Sequence, residues 1–370
     1  MGMNRAAITT VYIGGYTDSP SLGERRVHSI EVYGLDTATG SLTFVQALGG
    51  LINPSYLALD PHQQYVYCVE EKAEGMVHAF SIDPMTGALA SLNHQSSYGS
   101  GPAHVSVDRE GRWVFVANYD SGSVAVLPVQ VSGRIGPATT VVQHASRRGH
   151  TERQQGPHPH WIGTDPANRI VLVADLGLDA VVSYHLDVAS GKLIRAGVSH
   201  TIQPGAGPRH LAFRRDGHYV YVLNELDSTL IACAYDATNG DLYPIQSIST
   251  ISSDVLGPNW PAAIRLAPSG QFVYCSNRAS NNIVIFAGDP ATGLLTCIGH
   301  EVTQGHTPRD FNINPSGTFL LVANQESDTI ITFHIDAVTG QLSKTGHVTT
   351  THSPTCIAFG PTLTQPGWIV

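Results

Sequence analysis

PRHLAFRRDGHYVYVLN, residues 208–224, is a proline, a short alternating apolar run, a turn and a second β-rich run that ends on asparagine. The pattern returns along the chain. Pro54 leads into YVYCVE (65–70), Pro102 into WVFVAN (113–118) and Pro159 into IVLVAD (170–175). Pro261 leads into FVYCSN (272–277) and Pro308 into FLLVAN (319–324). The last copy, PTCIAFG at 354–360, has no partner downstream. Its partner lies at the other end of the chain, where TVYIGG (10–15) matches the second run.

A second signal alternates with the first: an Asp, three residues, a Gly and, two residues on, an apolar side chain. It occurs at Asp36–Gly40, Asp83–Gly87, Asp187–Gly191, Asp236–Gly240, Asp289–Gly293 and Asp336–Gly340, about 50 residues apart. A degraded copy at 131–136 fills the one gap. Gly supplies a positive-φ turn position, and Asp bonds its own backbone. Each repeat therefore predicts four short strands of period two, with no 3.6-residue pattern.

Seven such repeats predict an all-β, seven-bladed β-propeller with four-stranded blades, spanning residues 1–370 as one domain. The seventh blade is split: about 11–48 supply three strands and 354–359 the innermost. Joining the two ends removes the open edges of a linear array. A sandwich or a solenoid leaves the split repeat unexplained.

Composition agrees. Hydrophobic residues make up 42% of 370, enough for an ordinary core, while charged residues are only 13% against a typical ~25%. A net charge of −9 with no Lys/Arg cluster excludes a general nucleic-acid surface. No apolar run of membrane-spanning length and no secretory-type apolar segment is visible, so the expectation is a cytoplasmic protein without membrane partners. Five widely spaced cysteines without a CxxC argue against a disulfide framework or a zinc finger, and the four that sit in apolar alternating runs predict buried free thiols.

Aligning the repeats exposes a candidate site. The residue after each proline sits at one mouth of the central channel: Ser55, Ala103, His160, Arg209, Ala262, Arg309 and Thr355. The residue past each second run returns to that face: Glu71, Tyr119, Leu176, Glu225, Arg278, Gln325 and Tyr16. His160, Arg209, Glu225, Arg278 and Arg309 depart most clearly from what a structural repeat needs. They fall on neighbouring blades and can converge. Arg209 and Glu225 also read as a plain structural ion pair. His158 and His160 form an HxH pair at strand spacing, but no third ligand is evident, so no metal or other cofactor is expected. The segment 144–160, HASRRGHTERQQGPHPH, is longer than its counterparts and reads as a flap carrying Arg153 and His158 over the mouth. A basic mouth on an acidic chain favours a small anionic ligand.

At these residues a resemblance appears. GPHPHW (156–161), GAGPRH (205–210), VLNEL (222–226), NWPAAIRLAPSGQFVYCSNR (259–278) and PRDFNINPSG (308–317) resemble the bacterial propeller-type 6-phosphogluconolactonases and their relative, carboxy-cis,cis-muconate cyclase. The resemblance covers essentially the whole chain. It implies hydrolysis of 6-phosphoglucono-1,5-lactone in the pentose phosphate pathway, and it assigns catalytic roles by motif position to His160, Arg209, Glu225 and Arg278.

Ester hydrolysis by water needs a base, an oxyanion donor and a cation for the phosphate. Glu225 is the expected base, with His160 as alternative base or leaving-group acid. Arg209 or Arg278 suits the oxyanion. Arg309 or Arg153, beside His158, suits the substrate's anionic end. A muconate-type cycloisomerase, a lactonase for another sugar acid and a non-enzymatic binding platform are the other readings.

Overall fold

A computed structural model of the protein describes residues 7–18, 27–145, 152–200, 203–253 and 255–363. They form seven four-stranded antiparallel sheets, arranged as the blades of a β-propeller. Six blades follow the repeats in order: blade 1 runs from Leu57 to Ser96, blade 2 from Pro102 to Gln143 and blade 3 from Pro159 to His200. Blade 4 runs from Pro208 to Ser249, blade 5 from Pro261 to Val302 and blade 6 from Pro308 to Thr350.

Blade 7 is split as the sequence requires. Pro354–Leu363 pairs with Ile8–Gly15, followed by His28–Asp36 and Leu42–Gly49. Both joining strands run longer than expected, and the extra length is paired: Ile8 lies opposite Leu363. Thr9 and Thr362 share a hydroxyl hydrogen bond of 2.9 Å at this end.

The core consists of seven apolar wedges, one between each pair of neighbouring blades. Blade 7 contributes Tyr12, Ile30 and Val32 to one wedge and Val11, Ile13 and Leu35 to the next. A second strand in a blade is packed on both faces. This is why Trp113–Asn118 and Phe319–Asn324 read as continuous apolar runs and are buried throughout. The outermost strands face water on one side and alternate. Cys68, Cys233, Cys275 and Cys356 are buried free thiols, and Cys297, on an outermost strand, is exposed.

The Asp-x-x-x-Gly turns hold the ring together as well as closing hairpins. In blade 6, Asp336 Oδ1 accepts from the Val338 and Thr339 amides, both at 2.9 Å. Gly340 has φ +72°, and a Cβ there would stand 2.5 Å from the Phe272 ring of blade 5. Its carbonyl accepts the Tyr274 hydroxyl at 2.9 Å. The same tie from a blade's tyrosine to the next blade's turn glycine recurs at Tyr12–Gly87, Tyr67–Gly133 and Tyr221–Gly293. Glycine is needed there because φ is positive and a side chain of the neighbouring blade packs onto the bare Cα.

Candidate active site

The inner strands of six blades slip register by one residue just after their leading proline. The slips fall between Pro102 and His104, Pro159 and Trp161, Pro208 and His210, Pro261 and Ile264, Pro308 and Asp310, and Pro354 and Cys356. In blades 2, 3, 4, 6 and 7 the extra residues are Ala103, His160, Arg209, Arg309 and Thr355. A bulge bends the strand and re-aims one side chain. Three of the five residues singled out from the repeat alignment thus owe their placement to a bulge.

Glu225 follows the second strand of blade 4, pinned by its amide to the Gly207 carbonyl at 2.8 Å. It is 2% exposed and meets three guanidinium groups. Arg209 Nε lies 2.9 Å from Oε2, while Arg278 and Arg153 reach Oε1 at 3.0 and 3.1 Å. Burial alone would raise the Glu225 carboxyl, but Arg278 and Arg209, aided by Arg153, outweigh it and hold the group far below the usual carboxylate range. Both oxygens are occupied and the charge is fixed. That suits Glu225 to ordering arginines better than to accepting a proton.

Arg209, 3% exposed, also donates to the Ala262 carbonyl and, at 3.2 Å, to His210 Nε2. Arg278 is braced by its Nε on the Trp260 carbonyl at 3.0 Å. His160 is 7% exposed, with no hydrogen-bond partner at Nδ1. Burial, reinforced by Arg209, keeps its imidazole neutral well below the usual histidine range.

Arg153 reaches the cluster from the 3₁₀ turn Glu152–Gln154, within the segment expected to be a flap; residues 146–151 of that segment lie outside the described residues. Buried Asp175 ties both ends of the segment. His144 Nδ1 donates to Oδ2 at 2.5 Å, and the His158 amide to Oδ1 at 2.7 Å. Blades 2, 4, 5 and 6 place Asn at this position; Asn118, Asn277 and Asn324 donate to a carbonyl at the end of the preceding blade, and Asn224 to the Thr229 hydroxyl. The acid in blade 3 accepts instead, and so anchors a longer connection. His158 stacks on Tyr119 with centroids 4.5 Å apart and donates to its carbonyl at 2.8 Å. The Tyr119 hydroxyl accepts from Arg153 at 3.0 Å.

Arg309 belongs to the mouth but not to the Glu225 contacts. It donates to the Tyr16 hydroxyl at 2.7 Å, with its guanidinium 5.0 Å over the ring. That hydroxyl donates in turn to Glu71, 3.2 Å from Oε1 and 3.3 Å from Oε2. Burial raises the Glu71 carboxyl above its ordinary value, against the pull of Arg309. Tyr16 and Glu71 were not among the candidates, although both stand in the aligned column that contains Glu225 and Arg278. Comparing that whole column, rather than its most conspicuous charges, would have found them. A cavity of about 400 Å³ opens between blades 5 and 6, lined by Trp260, Arg278, His306, Arg309 and Glu326 among others. Among the described residues no group of three or more His, Cys, Asp or Glu is placed to hold a metal ion.

Buried cations around a water-accessible cavity can stabilise an oxyanion and hold an anionic substrate. The comparisons with known proteins agree with that chemistry. The lactonase family of seven-bladed β-propellers matches residues 10–359. The 6-phosphogluconolactonase of Bacillus subtilis is 37% identical over 299 residues, covering 80% of this chain and 83% of that protein. The 6-phosphogluconolactonase of Formosa agariphila is 33% identical over 307 residues, covering 81% and 84%. The solved structure of a periplasmic gluconolactonase from Pseudomonas aeruginosa superposes with a TM-score of 0.89 at 32% identity, over 96% of this chain and 99% of that one. The chain belongs to the lactonase family of seven-bladed β-propellers and is a lactone hydrolase.

Proposed function

We propose that the substrate is a phosphorylated aldonolactone, 6-phosphoglucono-1,5-lactone, opened by water at this mouth. The observation that carries the reading is the charge balance. Arg153, Arg209, Arg278 and Arg309 face only two carboxylates, Glu225 and Glu71, on a chain whose net charge is −9. A neutral sugar lactone has no use for such an excess of cation at the mouth; a phosphate dianion does. The names of the Bacillus and Formosa relatives support the same substrate.

In this reading Glu225 holds Arg209 and Arg278 with their remaining N–H groups available to the carbonyl oxygen as it becomes an alkoxide. Arg309, beside the cavity, meets the phosphate, and Arg153 closes over it from the segment anchored by Asp175. His160, neutral, offers a hydrogen bond to the ring oxygen or carbonyl. The unpaired cysteines suit a reducing compartment, which supports a cytoplasmic location.

The Pseudomonas structure, a gluconolactonase, favours a neutral lactone as the second reading. Comparing kcat/KM for phosphorylated and unphosphorylated glucono-1,5-lactone, above the spontaneous rate, separates the two. One charge-assisted contact to phosphate predicts about a 10- to 100-fold preference for the phosphorylated substrate. Arg309→Ala is expected to narrow it. Equal turnover of both lactones by the wild-type protein contradicts the phosphate reading.

A further inference from the structure

The mouth holds two acids, and their surroundings differ in the way that separates a base from a counter-ion. Glu225 has both oxygens covered by guanidinium groups. Glu71 is partly buried and accepts from the Tyr16 hydroxyl, shared between its two oxygens, with the Ser55 hydroxyl beside it; among the described residues no guanidinium group covers either oxygen. Arg309 does not bond to it directly; the tyrosine stands between them. The neighbouring Lys72 is drawn away to Glu70 at 2.7 Å. The other charged group facing Glu71 is Asp120, exposed on blade 2.

We propose that Glu71, rather than Glu225, accepts the proton of the attacking water, with Tyr16 as the residue that positions it. This rests on the lactone-hydrolase reading of the same mouth. The Glu71 carboxylate takes one proton while the water oxygen forms a bond to the lactone carbonyl carbon. The carbonyl π pair moves to oxygen, next to the Arg209 and Arg278 guanidinium groups. When C=O re-forms, the bond from carbon to the ring oxygen breaks. The ring oxygen takes the proton back from Glu71 as a hydroxyl, and the new carboxylic acid releases its own proton to solvent.

Burial raises the Glu71 carboxyl above its ordinary value, which makes it a better base than a carboxylate pinned by three cations. The chain Arg309–Tyr16–Glu71 also couples the cation next to the cavity to the base. A bound anion drawing on Arg309 therefore acts on the group that activates water.

The test uses the full chain and whichever of the two lactones the wild type hydrolyses, with kcat and KM measured from about pH 5 to 8. Glu71→Gln is expected to lower kcat by about 10²–10⁴-fold at near-wild-type KM, and to abolish the acidic limb of the rate profile. Glu225→Gln is expected to retain that limb. Tyr16→Phe removes a donor that favours the charged carboxylate, so its limb should move to higher pH. A folded Glu71→Gln protein within about threefold of wild type overturns the proposal. So does disappearance of the acidic limb in His160→Gln rather than in Glu71→Gln. Should Glu71→Gln not fold, Glu71→Asp keeps the charge but withdraws the oxygens by one carbon; an unchanged kcat there also overturns it. A wild-type protein that accelerates neither lactone overturns the underlying substrate reading, an outcome separable from the others because no variant is involved.

Discussion

The outer rim and the channel mouth are made from the same repeat, yet they are built on opposite rules. At the rim, each turn does one job in one way: Asp bonds its own backbone and Gly admits the neighbouring blade. At the mouth, equivalent positions hold His160, Arg209, Arg309, Ala103 or Thr355, and no two neighbours are alike. Repetition fixes what every blade must do to close the ring. Variation marks what only the ring as a whole can do, since Tyr16, Glu71, Tyr119, Glu225, Arg278 and Arg309 come from six different blades. Substitutions at the two regions should therefore separate folding from chemistry, with one exception that is itself informative.

That exception is Glu225, whose replacement should have the largest effect on stability. Glu225→Gln leaves Arg209 buried without its counter-charge, a change that costs about 3–5 kcal/mol where a buried pair loses one partner. Urea unfolding should show this together with weakened substrate binding. A variant as stable as wild type would mean that the arginines are hydrated or repelled outward, and the mouth is looser than described.

At the rim, Gly340→Ala forces a side chain into a left-handed backbone position against Phe272. A loss of about 1–3 kcal/mol is expected, with kcat of the folded protein unchanged. A fall in kcat without a fall in Tm would erase the distinction between rim and mouth.

Acid should weaken the inner region first. His104, His160 and His210 are all buried, and burial keeps each neutral well below the usual histidine range. Below about pH 6.5 the unfolded chain binds protons that the folded chain refuses. Stability contributed by the neutral rings is then full above that pH and declines as pH falls. His104→Gln should flatten the dependence of Tm on pH; an unchanged slope would contradict it. The smallest effect is expected from Asp336→Ala, which removes two exposed turn hydrogen bonds and should shift Tm least and kcat not at all.

The fold was legible because the repeat is. A proline-led strand, a doubly buried second strand and an Asp/Gly turn recur with enough regularity that the orphan copies at 10–15 and 354–360 identify the closing blade. The site was legible in part. His160, Arg209, Glu225 and Arg278 stand out as charges where a structural repeat needs none. The structure gathers Arg209, Arg278 and Arg153 on Glu225 and stacks His158 beside them on Tyr119.

Other features were hidden for identifiable reasons. The bulge after six of the seven leading prolines leaves no trace in an alternating run. The partnership of Arg309 with Tyr16 spans 293 residues, across the join between the chain ends. Glu71 follows another acid, Glu70, and the pair reads as solvated surface. Asp175 looks like one more strand end until the hydrogen bonds of its asparagine counterparts are compared with its own.

Binding of the phosphorylated substrate between Glu225 and Glu71, as proposed, is open to direct test in a crystal structure of the full chain with the reaction product, 6-phosphogluconate. The phosphate is expected within hydrogen-bond distance of Arg309, and the new carboxylate on Arg209 or Arg278 with an oxygen facing Glu71. Product bound in a groove on the outer rim or at the opposite end of the channel, with the mouth arginines untouched, would contradict it.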